Sequence, residues 1–196
     1  MNFSAVILAG GQSSRMGRDK AWLPAGGETL LSRQLNLLRV LGPTEVFISG
    51  RSGVDYTAFQ YPVLTDRFAD AGPLAGIERA LDAATAPLVM VLAVDMPAMT
   101  AEWLGELLSA CTPTLGVVPA IGEDFEPLAA VYPKACHSII EGQLEQRCRA
   151  AREFAQACIT AGLVRALPLP PSAIGRFANW NCPQDFPKHE PPVSVL

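Results

Sequence analysis

Leu88-Val-Met-Val-Leu-Ala-Val94 is an unbroken apolar run closed by Asp95. It falls far short of the ~18–20 residues of a membrane span. It shows no alternation of polar and apolar positions, so both of its faces must be covered. That is the pattern of a strand inside a mostly parallel sheet with helices on both sides. Toward the N-terminus, Phe3–Leu8 (FSAVIL) repeats the pattern and runs into Ala9-Gly10-Gly11, a glycine turn. Between the two strands, Thr29–Val40 places Leu31, Leu35 and Leu38 at helical spacing. Glu45–Ser49 reads as another strand and Pro62–Leu64 as a very short one. Pro73–Ala84 reads as a helix with Ile77, Ala80, Leu81 and Ala84 on one face.

Toward the C-terminus, Glu102–Cys111 reads as a helix, and Leu115–Ile121 and Pro127–Tyr132 as strands. Lys134–Ala161 is helical in composition with a break expected near Gly142, and Leu163–Leu167 is a late strand. Strands alternating with helices predict an α/β fold, a three-layer α/β/α arrangement around a mostly parallel sheet.

The chain has 196 residues, 49% of them hydrophobic, and a net charge of −4. That size fits one domain, expected over residues 1–186, since domains commonly hold roughly 100–200 residues. Pro187–Leu196 carries three prolines and no periodicity, and is expected to be a flexible tail. The acidic balance argues against a nucleic-acid-binding surface. Cys111, Cys136, Cys148, Cys158 and Cys182 form no CxxC pair, which predicts free thiols in a reducing compartment. With neither a signal-peptide pattern nor a membrane span in the sequence, a cytoplasmic location is expected.

The chemistry begins at Leu8-Ala-Gly-Gly-Gln-Ser-Ser-Arg-Met-Gly-Arg-Asp-Lys20. Gly10, Gly11 and Gly17 permit tight turns, and successive backbone N–H groups in such a loop can form an anion nest. Arg15, Arg18 and Lys20 add cations, opposed only by Asp19. A polyphosphate, with about four negative charges, suits this loop. The loop is neither a Walker A sequence nor GxGxxG. A solvated charge run in a βα loop is the plainer alternative. Its place after the first strand, where open α/β sheets bind ligands, favours the phosphate reading.

Asp95 stands at the end of the buried strand. A carboxylate there is costly unless paired, and Mg²⁺ could pair with it, since Mg²⁺ takes one or two carboxylates plus phosphate oxygens. Capping of the helix that begins near Thr100 is an equal alternative. Asp66, after the short strand, could face the same crevice or simply form a turn. Ala71-Gly-Pro-Leu-Ala-Gly76 opens a helix, with glycines on either side of Pro73 that suit close approach of a base or sugar. His137 and His189 are isolated, and Trp22, Trp103 and Trp180 read as core or rim packing.

These pieces together resemble a known family. Leu8-Ala-Gly-Gly, Arg15-Met16-Gly17-x-Asp19-Lys20, Gly72-Pro73-Leu74-Ala75-Gly76, Asp95-Met96-Pro97, Pro127-Leu-Ala-Ala-Val-Tyr132 and Asn179-x-Asn181-x-Pro183 occur in that order. The combination, over about residues 3–186, is similar to the molybdenum cofactor guanylyltransferases, within the nucleotidyltransferases of sugar-nucleotide type. The resemblance implies a Rossmann-like fold. It implies transfer of GMP from GTP to molybdenum-molybdopterin with release of pyrophosphate. Molybdoenzyme-maturation proteins are further candidate partners. By position, Leu8, Ala9 and Gly10 would contact guanine and ribose, with Gly11, Ser49 and Gly76 also at the nucleotide. Arg15 and Lys20 would hold the triphosphate, Asp66 would contact the nucleoside, and Asp95 would bind Mg²⁺. Asn179 and Asn181 would lie toward the pterin.

The sequence departs from the family pattern at Ser49, where Asn is frequent, and at Glu126, where His or another polar residue is common. The alternatives are a cytidylyltransferase on the same pterin, a nucleotidyltransferase for another phosphorylated metabolite, and a non-catalytic nucleotide-binding regulator. Gly11 after Gly10, in place of Leu-Ala-Ala-Gly, favours guanine by resemblance.

Overall fold

The computed structural model describes residues 1–10 and 19–180. Gly11, Arg15, Asn181 and the expected tail therefore lie outside the described residues. Among those described, the elements run β1 (Phe3–Leu8), β2 (Pro24–Ala25), β3 (Glu28–Thr29), α1 (Leu30–Leu41), β4 (Glu45–Ser49), β5 (Val63–Leu64), α2 (Pro73–Ala83), β6 (Leu88–Ala93), α3 (Ala101–Ser109), β7 (Gly116–Ile121), β8 (Asp124–Phe125), β9 (Ala129–Pro133), α4 (His137–Glu145), α5 (Ala151–Thr160) and β10 (Val164–Pro168).

Seven of these strands lie side by side in the order β10-β7-β9-β6-β1-β4-β5, and the short β8 pairs with β7. β1 is parallel to both β4 and β6, β4 to β5, and β7 to β10. Only β9, antiparallel to its two neighbours, and β8 run against the rest. The sheet is thus mostly parallel and flanked by helices, a Rossmann-like α/β arrangement, as the strand–helix alternation predicts.

Alternation along the strands builds two cores. Phe3, Ala5 and Ile7 of β1, with Met90 and Leu92 of β6, pack under Leu31, Leu35 and Leu38 of α1 and Leu104 and Leu107 of α3. Val6 and Leu8, with Val89 and Val91, face the other way, toward Leu74, Ile77 and Leu81 of α2, Ile140 of α4 and Phe154 of α5. A strand buried on both faces cannot alternate polar and apolar residues, which explains the run Leu88–Val94. Thr29 and Thr100 cap α1 and α3 by accepting from the N–H groups of Ser32 and Trp103.

The structure adds and corrects detail. Pro24–Thr29 forms a hairpin around Gly26 and Gly27, too short to register as hydrophobic periodicity. The helical tract after Lys134 does not break at Gly142, which lies inside α4. Glycine costs a helix interior about 1 kcal/mol. Burial of Ile140 and Leu144 around it outweighs that. The helix instead ends where Arg147 turns to φ 61° and the N–H of Cys148 reaches back to Gln143 O.

Candidate functional site

The parallel strands bring their carboxyl ends to one edge of the sheet. Leu8 of β1 is in register with Ser49 of β4 and with Ala93 of β6. Backbone bonds continue the ladder past the strand ends. Ala9 N–H donates to Ser49 O at 2.9 Å, Val94 N–H to Leu8 O at 3.1 Å, and Ala93 N–H to Leu128 O at 2.7 Å. An open cavity lies over this edge. Its walls are Leu8, Ala9 and Gly10 after β1, Ser49 at the end of β4, Asp66 after β5, Gly72 and Pro73 at the start of α2, Val94 and Asp95 after β6, Leu128 ahead of β9, and Lys20.

Lys20 and Asp95 meet there. The ammonium donates to Asp95 Oδ2 at 2.7 Å, and both side chains are mostly buried. The two residues are 75 positions apart. The neighbouring backbone holds each of them. Asp19 Oδ1 accepts from Ala21 N–H at 3.0 Å, and Asp19 Oδ2 accepts from the hydroxyl of Tyr56 at 2.9 Å. On the other side, the fully buried Gln34 of α1 donates to Met96 O at 2.8 Å, and Arg33 donates to Pro97 O at 2.8 Å. The turn that carries Asp95 is therefore clamped from α1. Capping of α3 falls to Thr100, so Asp95 is not spent on it.

Asp66 sits on a loop gripped by α2. Arg79 donates to Thr65 O at 3.2 Å, and Arg67 pairs with Glu78 at 3.3 Å. Glu78 is fully buried and also lies 3.1 Å from His137 Nε2. Its Oε2 has no hydrogen-bond partner among the described residues. Asp66 is exposed as a residue, but partial desolvation of its carboxyl, and next the negative charge of Glu78, raise its pKa above the ordinary value, against a smaller opposing effect of Arg79.

Of the positions the sequence singled out, Leu8, Ala9, Gly10, Lys20, Ser49, Asp66 and Asp95 gather around this cavity. Gly76 does not line it. A Cβ there would lie 2.2 Å from Ser49 Oγ and 2.9 Å from Leu8 Cδ2, so its smallness admits the end of β4 against α2. The left-handed glycine at the cavity is Gly72, at φ 60°, where a side chain would strain the entry to α2. Asn179 is exposed and off the cavity wall, but the next residue, Trp180, donates its N–H to Asp95 O at 2.9 Å. Glu126 lies beside Leu128, half-buried, its pKa raised by burial and then by Asp124. Tyr56, Gln34 and Glu78 carried no signal in the sequence, because each acts through a residue far along the chain. Among the described residues no cluster of three or more His, Cys, Asp or Glu side chains forms a metal site, and no helix is long and apolar enough to cross a membrane. The described cysteines Cys111, Cys136, Cys148 and Cys158 are free thiols.

Residues 5–161 match the model of the MobA-like NTP transferase domain. The chain is 42% identical to a protein of Opitutus terrae named "Probable molybdenum cofactor guanylyltransferase", over 93% of this chain and 92% of that one. It is 32% identical to the "Molybdenum cofactor guanylyltransferase" of Xanthomonas euvesicatoria, over 97% and 96% of the two chains. Among solved structures, the molybdopterin-guanine dinucleotide biosynthesis protein A of Archaeoglobus fulgidus superposes with a TM-score of 0.71 at 21% identity, covering 93% of this chain and 94% of that one. The 2-C-methyl-D-erythritol 4-phosphate cytidylyltransferase of Thermus thermophilus superposes at 0.68 and 20%, covering 92% and 93%. At those identities the structural matches speak to the fold.

Proposed function

The chain belongs to the molybdenum cofactor guanylyltransferases of the MobA-like NTP transferase family, and on that footing we propose that it transfers GMP from GTP to the phosphate of molybdenum-molybdopterin in the cytoplasm, releasing pyrophosphate. The observation that carries this reading is the Lys20–Asp95 pair at the mouth of a strand-end cavity. The acceptor phosphate is already anionic and needs little general-base help. Catalysis is then mostly positioning and charge neutralisation, with in-line attack on the α-phosphorus.

Among the described lining residues Lys20 is the one cation, against the carboxylates Asp66 and Asp95. A triphosphate needs more positive charge than that. Arg15 on the glycine-rich loop is a candidate source, and a divalent ion on Asp95 is another. A single strand-end carboxylate, partly solvent-accessible and facing a cavity, fits Mg²⁺, which takes its remaining ligands from water and phosphate. Mg²⁺ would supply Lewis-acid charge neutralisation on the phosphate oxygens. Lys20 and Arg15 hold the departing pyrophosphate. Leu8, Ala9, Gly10 and Ser49, with Gly11 beyond the described backbone, hold the nucleoside from the β1 and β4 side, and Asp66 holds it from β5. Asn179 and Asn181 serve the pterin side, and Asn179 precedes Trp180, whose N–H is tied to Asp95 O. Maturation proteins of molybdoenzymes would receive the product.

Thermal shift with GTP, CTP, UTP and ATP, each with Mg²⁺, tests the nucleotide. At about 100 times Kd a ligand adds about 2.7 kcal/mol, which raises Tm by roughly 5–10 °C in a domain of this size. A rise with GTP alone supports guanylyl transfer. Preference for CTP would replace it with cytidylyl transfer.

A further inference from the structure

We propose that Tyr56 is a positioning residue for triphosphate binding, acting through Asp19 to hold Lys20 at the cavity. This rests on the nucleotidyltransferase reading above and extends it to a residue that does not line the site.

Tyr56 is 1% exposed, yet its hydroxyl is fully engaged. It donates to Asp19 Oδ2 at 2.9 Å and accepts from Arg51 N–H at 3.1 Å. Burial of a hydroxyl is costly unless it is bonded, and a Phe would have filled the same space without that cost. The bond therefore serves something other than packing. Asp19 uses its second oxygen to cap Ala21 N–H at 3.0 Å. The backbone from 19 to 21 is pinned on both sides of Lys20, and its side chain emerges onto Asp95. Burial pushes the Tyr56 phenol up to about 12. It stays protonated, and so remains a donor, throughout the neutral range.

The same ring shapes the other wall. A Cβ on Gly50 would lie 2.5 Å from Tyr56 Cε2, so the exit of β4 closes onto the ring directly after Ser49. One side chain thus sets two borders of the cavity. Its ring fixes the Ser49–Gly50 exit and its hydroxyl fixes Asp19–Lys20. Tyr56→Phe separates these roles, because it keeps the ring and removes only the hydroxyl.

The experiment is calorimetric binding of GTP and of GMP to the wild type, Tyr56→Phe, Lys20→Ala and the double variant. Tyr56→Phe is expected to weaken GTP about tenfold, the scale of one hydrogen bond to a charged group, and GMP less than twofold. In the Lys20→Ala background, Tyr56→Phe is expected to change the GTP-to-GMP ratio no further. Equal losses for the two ligands, or an undiminished effect without Lys20, would overturn the proposal while leaving the nucleotide site intact. If the wild type shows no preference for GTP over GMP, the nucleotidyltransferase reading falls first and the proposal falls with it. If Tyr56→Phe melts far below the wild type, Asp19→Ala cuts the same link from its other end. It must then give the same GTP-selective loss, and failure to do so overturns the proposal equally.

Discussion

Lys20 Nζ donates to Asp95 Oδ2 at 2.7 Å, across 75 positions of sequence. The cation proposed to hold phosphate and the carboxylate proposed to hold a divalent ion therefore share one cavity. In the free protein each satisfies the other. A triphosphate and a divalent ion can take over both roles together.

Lys20→Ala should therefore weaken GTP binding by about 10–100-fold, in line with about 1.5–3 kcal/mol for charge-assisted hydrogen bonds. GMP, which lacks the outer phosphates, should lose far less. Titration calorimetry of both ligands measures the difference. Equal losses would move Lys20 away from the outer phosphates.

Asp95→Asn should lower kcat by about 100-fold or more, the scale seen when charge stabilisation is removed from a transition state. Stability should change little, because Asn matches Asp in shape and its amide oxygen can still accept the Lys20 hydrogen bond. A Tm within about 4 °C of wild type, with turnover lost, is the expected combination. Near-normal turnover would remove Asp95 from the metal role.

Gly76→Ala should destabilise by about 1–3 kcal/mol through overpacking, since the new methyl collides with Ser49 Oγ at 2.2 Å and Ser49 Cβ at 2.8 Å. Adding Ser49→Gly removes both of these atoms. The double variant should recover part of the loss, leaving the contact with Leu8 Cδ2 at 2.9 Å. Denaturant melts of the four proteins complete the cycle. Full additivity would mean that the β4–α2 contact is not what requires glycine.

Asp66 predicts a pH signature. Its folded pKa is raised, so the folded chain holds the proton more tightly than the unfolded chain does. The Asp66 contribution to stability therefore falls as pH rises from the ordinary value of 3.8 through the folded value, and stays constant above it. Asp66→Asn removes that slope. The difference in Tm between variant and wild type should grow in favour of the variant across this window and then level off near neutral pH. A flat difference would mean that the carboxyl is not crowded. The same variant should bind GTP more weakly, and calorimetry at pH 7 checks this.

Much of the fold was legible because burial leaves a mark on sequence. Leu88–Val94 and Phe3–Leu8 read as buried strands, and Leu31, Leu35 and Leu38 marked an amphipathic helix, to which the structure adds the cap at Thr29. The reversed direction of β9 was not legible. It depends on the turn at Gly122 and on β8, which are too short to show a period. Gly142 misled, because packing of Ile140 and Leu144 overrides local propensity. At the site, Lys20, Asp66 and Asp95 were visible as charges placed after strands. Tyr56 and Gln34 were not, since a buried Tyr or Gln looks like any core or surface residue until its distant partner is known. Gly76 was read as room for a ligand and proved to be room for Ser49.

Pyrophosphate release is the most direct test of whether the cavity performs nucleotidyl transfer. Wild-type protein, GTP, Mg²⁺ and molybdenum-molybdopterin should release one pyrophosphate per dinucleotide formed, and omission of the acceptor or replacement of Asp95 by Asn should abolish the signal. GTP bound tightly with no pyrophosphate released in the complete mixture would contradict transfer and leave a nucleotide-binding protein in its place.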